Sequence, residues 1–300
     1  MLKICIAGTG GMKPLPERFL TGLWAEHIGK ALLIDCGEGM QTALAKHKCK
    51  VSRLDALLIT HLHADHIAGL PGLLLTVGNN SKQTPLKIYG PTGTAGTVEK
   101  LRCICPEVAY DIIVTELPVD RISSFEWNGI SVSAMPVRHA VSCLCYSLTE
   151  KRPVIFDPVK ARKLNIPQNL WNKLHYGGEC TVDGRIFTAD EVSSGTRPPL
   201  KITYITDTEY FPQLEEFAAD SDLLVCEGMY GSDEYIPKMQ EKQHMVFSQA
   251  AHIAKASRSQ KLWLTHYSPA MKSPEDYTES VRSIFENTVV CTDGITAEFR

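Results

Sequence analysis

The run Thr60-His61-Leu62-His63-Ala64-Asp65-His66 puts four side chains that can bind a metal, His61, His63, Asp65 and His66, within six residues. It follows directly on Leu54-Asp55-Ala56-Leu57-Leu58-Ile59, a near-continuous apolar run that reads as a strand buried on both faces. A strand leading into a tight loop turns alternate side chains, here His61 and His63, to one side. Asp65 and His66 then reach the same opening from the next turn. Ionisable groups packed this closely are costly to bury unless a cation or hydrogen bonds satisfy them.

A second pattern reinforces the first. Three apolar strands end in Thr followed by a ligand type: Thr60-His61, Thr206-Asp207 and Thr265-His266. Groups displayed at the ends of several strands converge on one edge of a sheet. His139, just beyond a strand ending at Pro136, sits on a comparable rim. The set becomes His61, His63, His66, His139 and His266 with Asp65 and Asp207, more than the four ligands of one tetrahedral zinc. It suits two ions with one carboxylate between them. Imidazole and carboxylate without thiolate suit Zn²⁺, with Mn²⁺ or Fe²⁺ as alternatives. Two such ions about 3.5–4 Å apart hold a hydroxide at neutral pH and clamp a displacement at phosphorus or at an acyl carbon.

The elements that must position these groups follow from periodicity and turn signals. Strands are expected at 2–7, 31–35, 51–60, 86–89, 201–206, 222–226 and 261–265, with β-structure over 112–148 turning at Asn128-Gly129. Helices are expected at 40–47, 66–78 (broken by Pro71), 94–103, 158–165, 212–219, 247–257 and 274–286. Strands interspersed with helices indicate a layered α/β or α+β fold. Residues 150–200 carry five prolines and few apolar clusters, which marks an insertion with one short helix.

Composition sets the outer bounds. The chain has 300 residues, 44% of them apolar and 22% charged, which excludes intrinsic disorder. A net charge of −3 excludes a broadly cationic nucleic-acid coat. Residues 150–175 nevertheless hold six basic side chains against two acidic ones, a patch suited to a phosphate backbone. The ten cysteines read as free thiols, since no secretory leader is evident. No run approaches the roughly 18 apolar residues of a membrane span, so a cytoplasmic protein is expected. His27, His47, His175, His252 and the four tryptophans read as packing or surface residues. Gly8-Thr9-Gly10-Gly11 reads as a tight turn near the site.

The His-x-His-x-Asp-His run with the later His, Asp and His resembles the signature of the metallo-β-lactamase superfamily. Asp35-Cys36-Gly37-Glu38-Gly39-Met40-Gln41, Ile205-Thr206-Asp207-Thr208 and Leu264-Thr265-His266-Tyr267-Ser268-Pro269 make the ribonuclease Z family the nearer match. The likeness spans essentially the whole chain. It implies a four-layer αββα sandwich, one domain over 1–300 with an inserted arm at about 150–200. It also implies a zinc phosphodiesterase that matures the 3′ end of precursor tRNA. By this resemblance His61, His63 and His139 hold one zinc, Asp65, His66 and His266 the other, and Asp207 bridges. Asp65 would also orient the attacking hydroxide. His244 would contact the scissile phosphate and protonate the leaving oxygen, with Glu209 as its carboxylate partner. Homodimers are usual in the family, and no membrane association is implied. Departures at Arg18-Phe19, His244-Met245-Val246 and Pro167 to Leu170 keep two other readings in view. One is a hydrolase of a small phosphodiester such as a cyclic nucleotide, or of a thioester or lactam. The other is a metal-loaded protein that binds RNA without cutting it.

Overall fold

The computed structural model describes residues 1–80, 82–105 and 108–299. Its strands, in chain order, are β1 (Leu2–Gly8), β2 (Gly22–His27), β3 (Lys30–Ile34), β4 (Leu54–Leu58), β5 (Leu86–Pro91), β6 (Ile112–Leu117), β7 (Ser123–Trp127), β8 (Ile130–Val137), β9 (Cys143–Glu150), β10 (Cys180–Val182), β11 (Arg185–Phe187), β12 (Leu200–Ile205), β13 (Leu223–Glu227), β14 (Leu262–Thr265), β15 (Thr288–Val290) and β16 (Thr296–Phe299). One seven-stranded sheet runs β16-β1-β2-β3-β4-β5-β6 and another runs β15-β14-β13-β12-β9-β8-β7. Both are mixed. Strands β3 to β6 are parallel, as are β12 to β15, while β1 with β2 and β7 with β8 are antiparallel.

Burial shows why the layers form. Along β1, Cys5 and Ala7 pack with Leu70, Leu73 and Leu74 from the helix Leu70–Asn79. The alternate residues Leu2, Ile4 and Ile6 are equally buried, on the face turned away from that helix. Hydrogen bonds cross there from one sheet to the other: Tyr146 Oη donates to the Ile59 carbonyl at 2.6 Å, and Trp127 Nε1 donates to Asp55 Oδ2 at 3.1 Å. On the far side Leu224, Cys226 and Leu264 pack with the helix Phe247–Ala256. Helix, sheet, sheet and helix are the layers of the expected αββα sandwich.

The local differences from expectation have physical causes. Pro71 does not break a helix. It stands in the first turn of Leu70–Asn79, where a missing N–H leaves no bond unmade, and a separate turn of helix, Ala64–Ile67, precedes it. The expected turn at Asn128-Gly129 joins β7 to β8, with both residues at positive φ. The short strand β16 completes its sheet by pairing antiparallel with β1.

Contacts divide the chain into two compact units, one of residues 1–148 with 201 onward and one of Thr149–Leu200. The second has its own small core, with Ala161, Ile166, Leu174, Phe187 and Val192 buried. It is richer in structure than its composition suggests. Asp157 caps the helix Pro158–Lys163 by accepting from the amides of Val159 and Lys160. A second helix, Gln168–His175, and the β10-β11 hairpin follow. Lys151, Lys160, Arg162, Lys163 and Lys173 are exposed. Among the described residues no helix is long and apolar enough to cross a membrane, and the cysteines are free thiols.

Candidate metal centre

The site lies in the larger unit, at the carboxyl ends of parallel strands from both sheets. His61, His63, Asp65 and His66 follow β4, Asp207 follows β12 and His266 follows β14. Asp207 and His266 both have positive φ, 51° and 61°, as does Asp35 after β3 at 63°. Non-glycine residues pay a conformational cost there that tight surroundings must offset. Those surroundings leave no slack. A Cβ on Gly11 would meet the His266 ring at 2.8 Å, and one on Gly37 would meet the Asp65 carbonyl at 2.1 Å. The Gly8–Gly11 turn therefore packs directly on the site, and the amide of Met12 donates to Asp65 Oδ2 at 2.7 Å.

All seven expected residues come together. His61 Nε2 lies 2.9 Å from His63 Nδ1, which lies 3.3 Å from His139 Nε2. His66 Nε2 is 3.2 Å from His266 Nε2, and Asp65 Oδ2 is 3.6 and 3.8 Å from these two nitrogens. Among the described residues five close-set groups of three could hold a metal, two of them the expected triads His61-His63-His139 and Asp65-His66-His266; the others are His61-His66-Asp207, His139-Asp207-His244 and Glu227-His244-His266. Asp207 faces both expected triads. Its Oδ1 is 3.9 Å from His61 and 4.0 Å from His139, and its Oδ2 is 3.3 Å from both His66 and His266.

The donor chemistry fits cations. Ligands bonded at about 2.0–2.1 Å around a tetrahedral zinc sit about 3.3 Å apart, close to the separations seen here. The outward ring nitrogens are held by acceptors. His66 Nδ1 donates to Asp35 Oδ2 at 2.8 Å, His139 Nδ1 to the Gln243 carbonyl at 3.3 Å, and His61 Nδ1 lies 3.1 Å from Thr60 Oγ1. Thr60 in turn donates through Oγ1 and its amide to Asp35. Such bonds leave the inward nitrogens of His61, His66 and His139 as bare lone pairs. Burial, with the charges of His66 and His139, holds His61 well below its ordinary range, in the neutral form that ligates. Burial opposes charge on His66 too, yet Asp207 and Asp35 outweigh it and raise His66 well above its ordinary range, a pull toward positive charge that a cation on the inward nitrogen would satisfy in place of a proton. Burial would lift Asp207, but the surrounding imidazoles bring it well below the usual carboxylate range.

His244 stands against this cluster, with Nδ1 3.9 Å from Asp207 Oδ1. Its carboxylate partner is not Glu209, as expected, but Glu227, whose Oε2 is 2.8 Å away. The other oxygen, Oε1, accepts from the Thr208 amide at 2.6 Å. Glu209 turns away because Asp207, at positive φ, redirects the chain. Its amide donates to the Arg138 carbonyl and its carboxylate meets the Arg138 guanidinium at 3.5 Å, bracing the loop that carries His139. Asp55, on β4, bonds Lys30 and Trp127. Sequence reasoning passed over Asp35 and Glu227 as site residues. Their signal was the one used for Asp207: an ionisable residue ending an apolar strand.

The cluster opens into a cleft of about 920 Å³, whose walls include Lys13, Tyr230, Lys238, Lys242 and His244.

The chain is similar over its full length to curated proteins named Ribonuclease Z. It is 42% identical over 300 residues to that of Lachnospira eligens, covering 100% of this chain and 98% of the relative. It is 43% identical over 298 residues to that of Agathobacter rectalis, covering 99% and 98%. The chain belongs to the ribonuclease Z family. A family model described as a β-lactamase superfamily domain matches residues 163–267, and one described as anti-Pycsar protein Apyc1 matches residues 2–158. Among solved structures, human tRNase Z, short form, superposes with a TM-score of 0.71 at 24% identity, covering 99% of this chain and 98% of that one. The metallo-β-lactamase fold protein YhfI from Bacillus subtilis does so with a TM-score of 0.70 at 18% identity, covering 99% and 98%. These bear out the sandwich fold, the family resemblance and the expectation of a metal-dependent hydrolase.

Proposed function

We propose that this ribonuclease Z family member is a dinuclear metal phosphodiesterase that removes the 3′ trailer of precursor tRNA. The observation that carries the reading is the split of Asp207: each carboxylate oxygen faces a different triad of ligand atoms. His61, His63 and His139 would hold one ion and Asp65, His66 and His266 the other, with Asp207 between them and zinc the metal best suited to the donors. Bound there, the ions would supply a nucleophile from water at neutral pH and neutralise charge on the phosphate oxygens.

The chain's own residues do the rest. Asp65, fixed by the Met12 amide, orients the attacking oxygen and takes its proton. Burial lowers His244, but Glu227's charge and hydrogen bond outweigh it and raise the imidazolium to about 9. His244 is therefore protonated at neutral pH and can hand a proton to the leaving oxygen. Lys13, Lys238 and Lys242 on the cleft walls meet the anionic strand. We read residues 150–200 as an arm of one catalytic domain, its exposed cations meeting the RNA backbone, and the working protein as a cytoplasmic homodimer.

The deciding experiment is cleavage of a precursor tRNA with 3′-end mapping. A single cut at the 3′ side of the tRNA body is expected. Turnover of a thioester or lactam with no phosphodiester cleavage would overturn the reading. RNA binding that persists without cleavage in the metal-loaded protein would favour the non-catalytic alternative.

A further inference from the structure

Tyr230 lines the cleft three residues after Glu227, on a loop pinned by the Phe247 amide, which donates to its carbonyl at 3.0 Å. Its ring stacks on Tyr235, with centroids 4.1 Å apart and planes 13° from parallel. The phenolic oxygen accepts from Ser268 Oγ at 3.0 Å and from Lys238 Nζ at 3.4 Å. An ammonium can only donate, and two accepted bonds use both lone pairs of a hydroxyl. The tyrosine's own proton is left to be given away, and among the described residues it has no acceptor. Held by stacking on one side and two bonds on the other, the phenol is a preorganised donor on the cleft wall.

Lys238 adds charge at the same place. It lies one helical turn before Lys242 on Ile236–Lys242, and both line the cleft. Among the described residues Lys238 has no carboxylate partner. Its ammonium sits 5.1 Å from the Tyr230 centroid and spends one N–H on the phenol, leaving two free. Among the described residues neither makes a hydrogen bond or ion pair with the His and Asp cluster, whereas His244 Nδ1 lies 3.9 Å from Asp207 Oδ1. Ser268, which ties Tyr230 in place, is two residues beyond His266. The pair thus stands one step along the wall from the metal cluster. A free O–H beside an unpaired ammonium suits an anion that only accepts hydrogen bonds, which describes the non-bridging oxygens of a phosphodiester.

Resting on the phosphodiesterase reading above, we propose that Tyr230 and Lys238 form a subsite for the phosphate next along the strand from the one that is cut. The enzyme would then favour substrates with a second phosphate beside the scissile bond, a preference set by this wall of the cleft and independent of residues 150–200.

The test compares kcat/KM for the dinucleotide UpU with UpU carrying a 5′ or a 3′ phosphate. Wild type should favour one of the two-phosphate substrates over UpU. Tyr230→Phe should cut that ratio roughly fivefold and Lys238→Gln about tenfold, as expected for a neutral and a charge-assisted hydrogen bond. Lys238→Gln should also flatten the salt dependence on the two-phosphate substrate, because screening weakens only the charged contact, while Tyr230→Phe should leave the salt dependence alone. Ser268→Ala removes a tether yet spares both donors, so the ratio should survive it. Equal losses on all substrates, or a wild-type ratio near one, would overturn the subsite alone. Cleavage of precursor tRNA by the same metal-loaded preparation checks the phosphodiesterase reading separately: failure there would overturn that reading and this inference with it, whereas cleavage there with no turnover of any of the three dinucleotides would overturn the subsite alone.

Discussion

His244 Nδ1 lies 2.8 Å from Glu227 Oε2, a carboxylate wholly shielded from solvent. The pairing sets the charge of the only cleft imidazole assigned to proton transfer. With Glu227 raising it to about 9, His244 stays protonated through neutral pH and loses its proton as pH rises through that value. Turnover of RNA should therefore fall on the alkaline side. Glu227→Gln removes the raising charge, so the alkaline limb should move to lower pH by a unit or more. RNA turnover at pH 8 should drop about 10²-fold, the scale of lost general acid catalysis. Bis(p-nitrophenyl) phosphate, whose leaving group needs no proton, should lose far less. Glu209→Gln should leave the limb in place. An unshifted limb in Glu227→Gln would remove His244 as the acid.

Asp207 offers one oxygen to each ligand triad, so its loss should be felt by both ions. Asp207→Ala should carry about one metal ion or fewer per chain by mass spectrometry, where the wild type carries close to two. Dialysis of the wild type against a chelator should lower its Tm, because ions that bind only the folded chain stabilise it by mass action. A fully active wild type with one ion per chain would contradict the bridging role.

The residues of the candidate metal cluster were legible because their chemistry is local. His61, His63, Asp65 and His66 crowd one loop, and Asp207 and His266 each follow an apolar strand through a threonine. His244's partner was not, because pairing across the cleft depends on backbone direction at the end of β12. Glu209 is two residues from Asp207 in sequence, but positive φ at Asp207 sends it toward Arg138, while Glu227 arrives from the neighbouring β13. Prolines misled in a similar way. Pro71 sits in the first turn of Leu70–Asn79, and Pro167 in the cap position of Gln168–His175, where each starts a helix. The apolar strands announced a layered α/β or α+β fold and the family resemblance the sandwich, but the short strands β15 and β16 had too little pattern to announce themselves.

Asp35 touches no substrate position yet holds His66 through Nδ1 and receives Thr60 twice. A buried carboxylate behind a ligand imidazole fixes the ring and strengthens its donor nitrogen. Asp35→Asn keeps the shape and removes the charge. Metal affinity should fall about 10- to 100-fold, and activity should return when metal is added in excess. Chelator competition measures the first and metal titration of turnover the second. Unchanged affinity would show that His66 is held by packing alone.

Residues 150–200 carry the exposed cations Lys160, Arg162 and Lys163 on one short helix and its end. If they meet RNA phosphates, each neutralised contact steepens the salt dependence of binding by about 0.7 to 0.9 in logarithmic slope. Replacing all three by Gln should flatten the slope for precursor tRNA by about 2 and raise KM, with kcat for a bound substrate little altered. The same triple variant should hydrolyse bis(p-nitrophenyl) phosphate at the wild-type rate, because a diester of that size has no second phosphate to lose. The substitutions fall outside the small core of Ala161, Ile166 and Leu174, so the fold of this unit should persist, which circular dichroism checks. Equal losses on tRNA and on the small diester would assign these cations to stability and leave the lysines of the cleft as the RNA contacts.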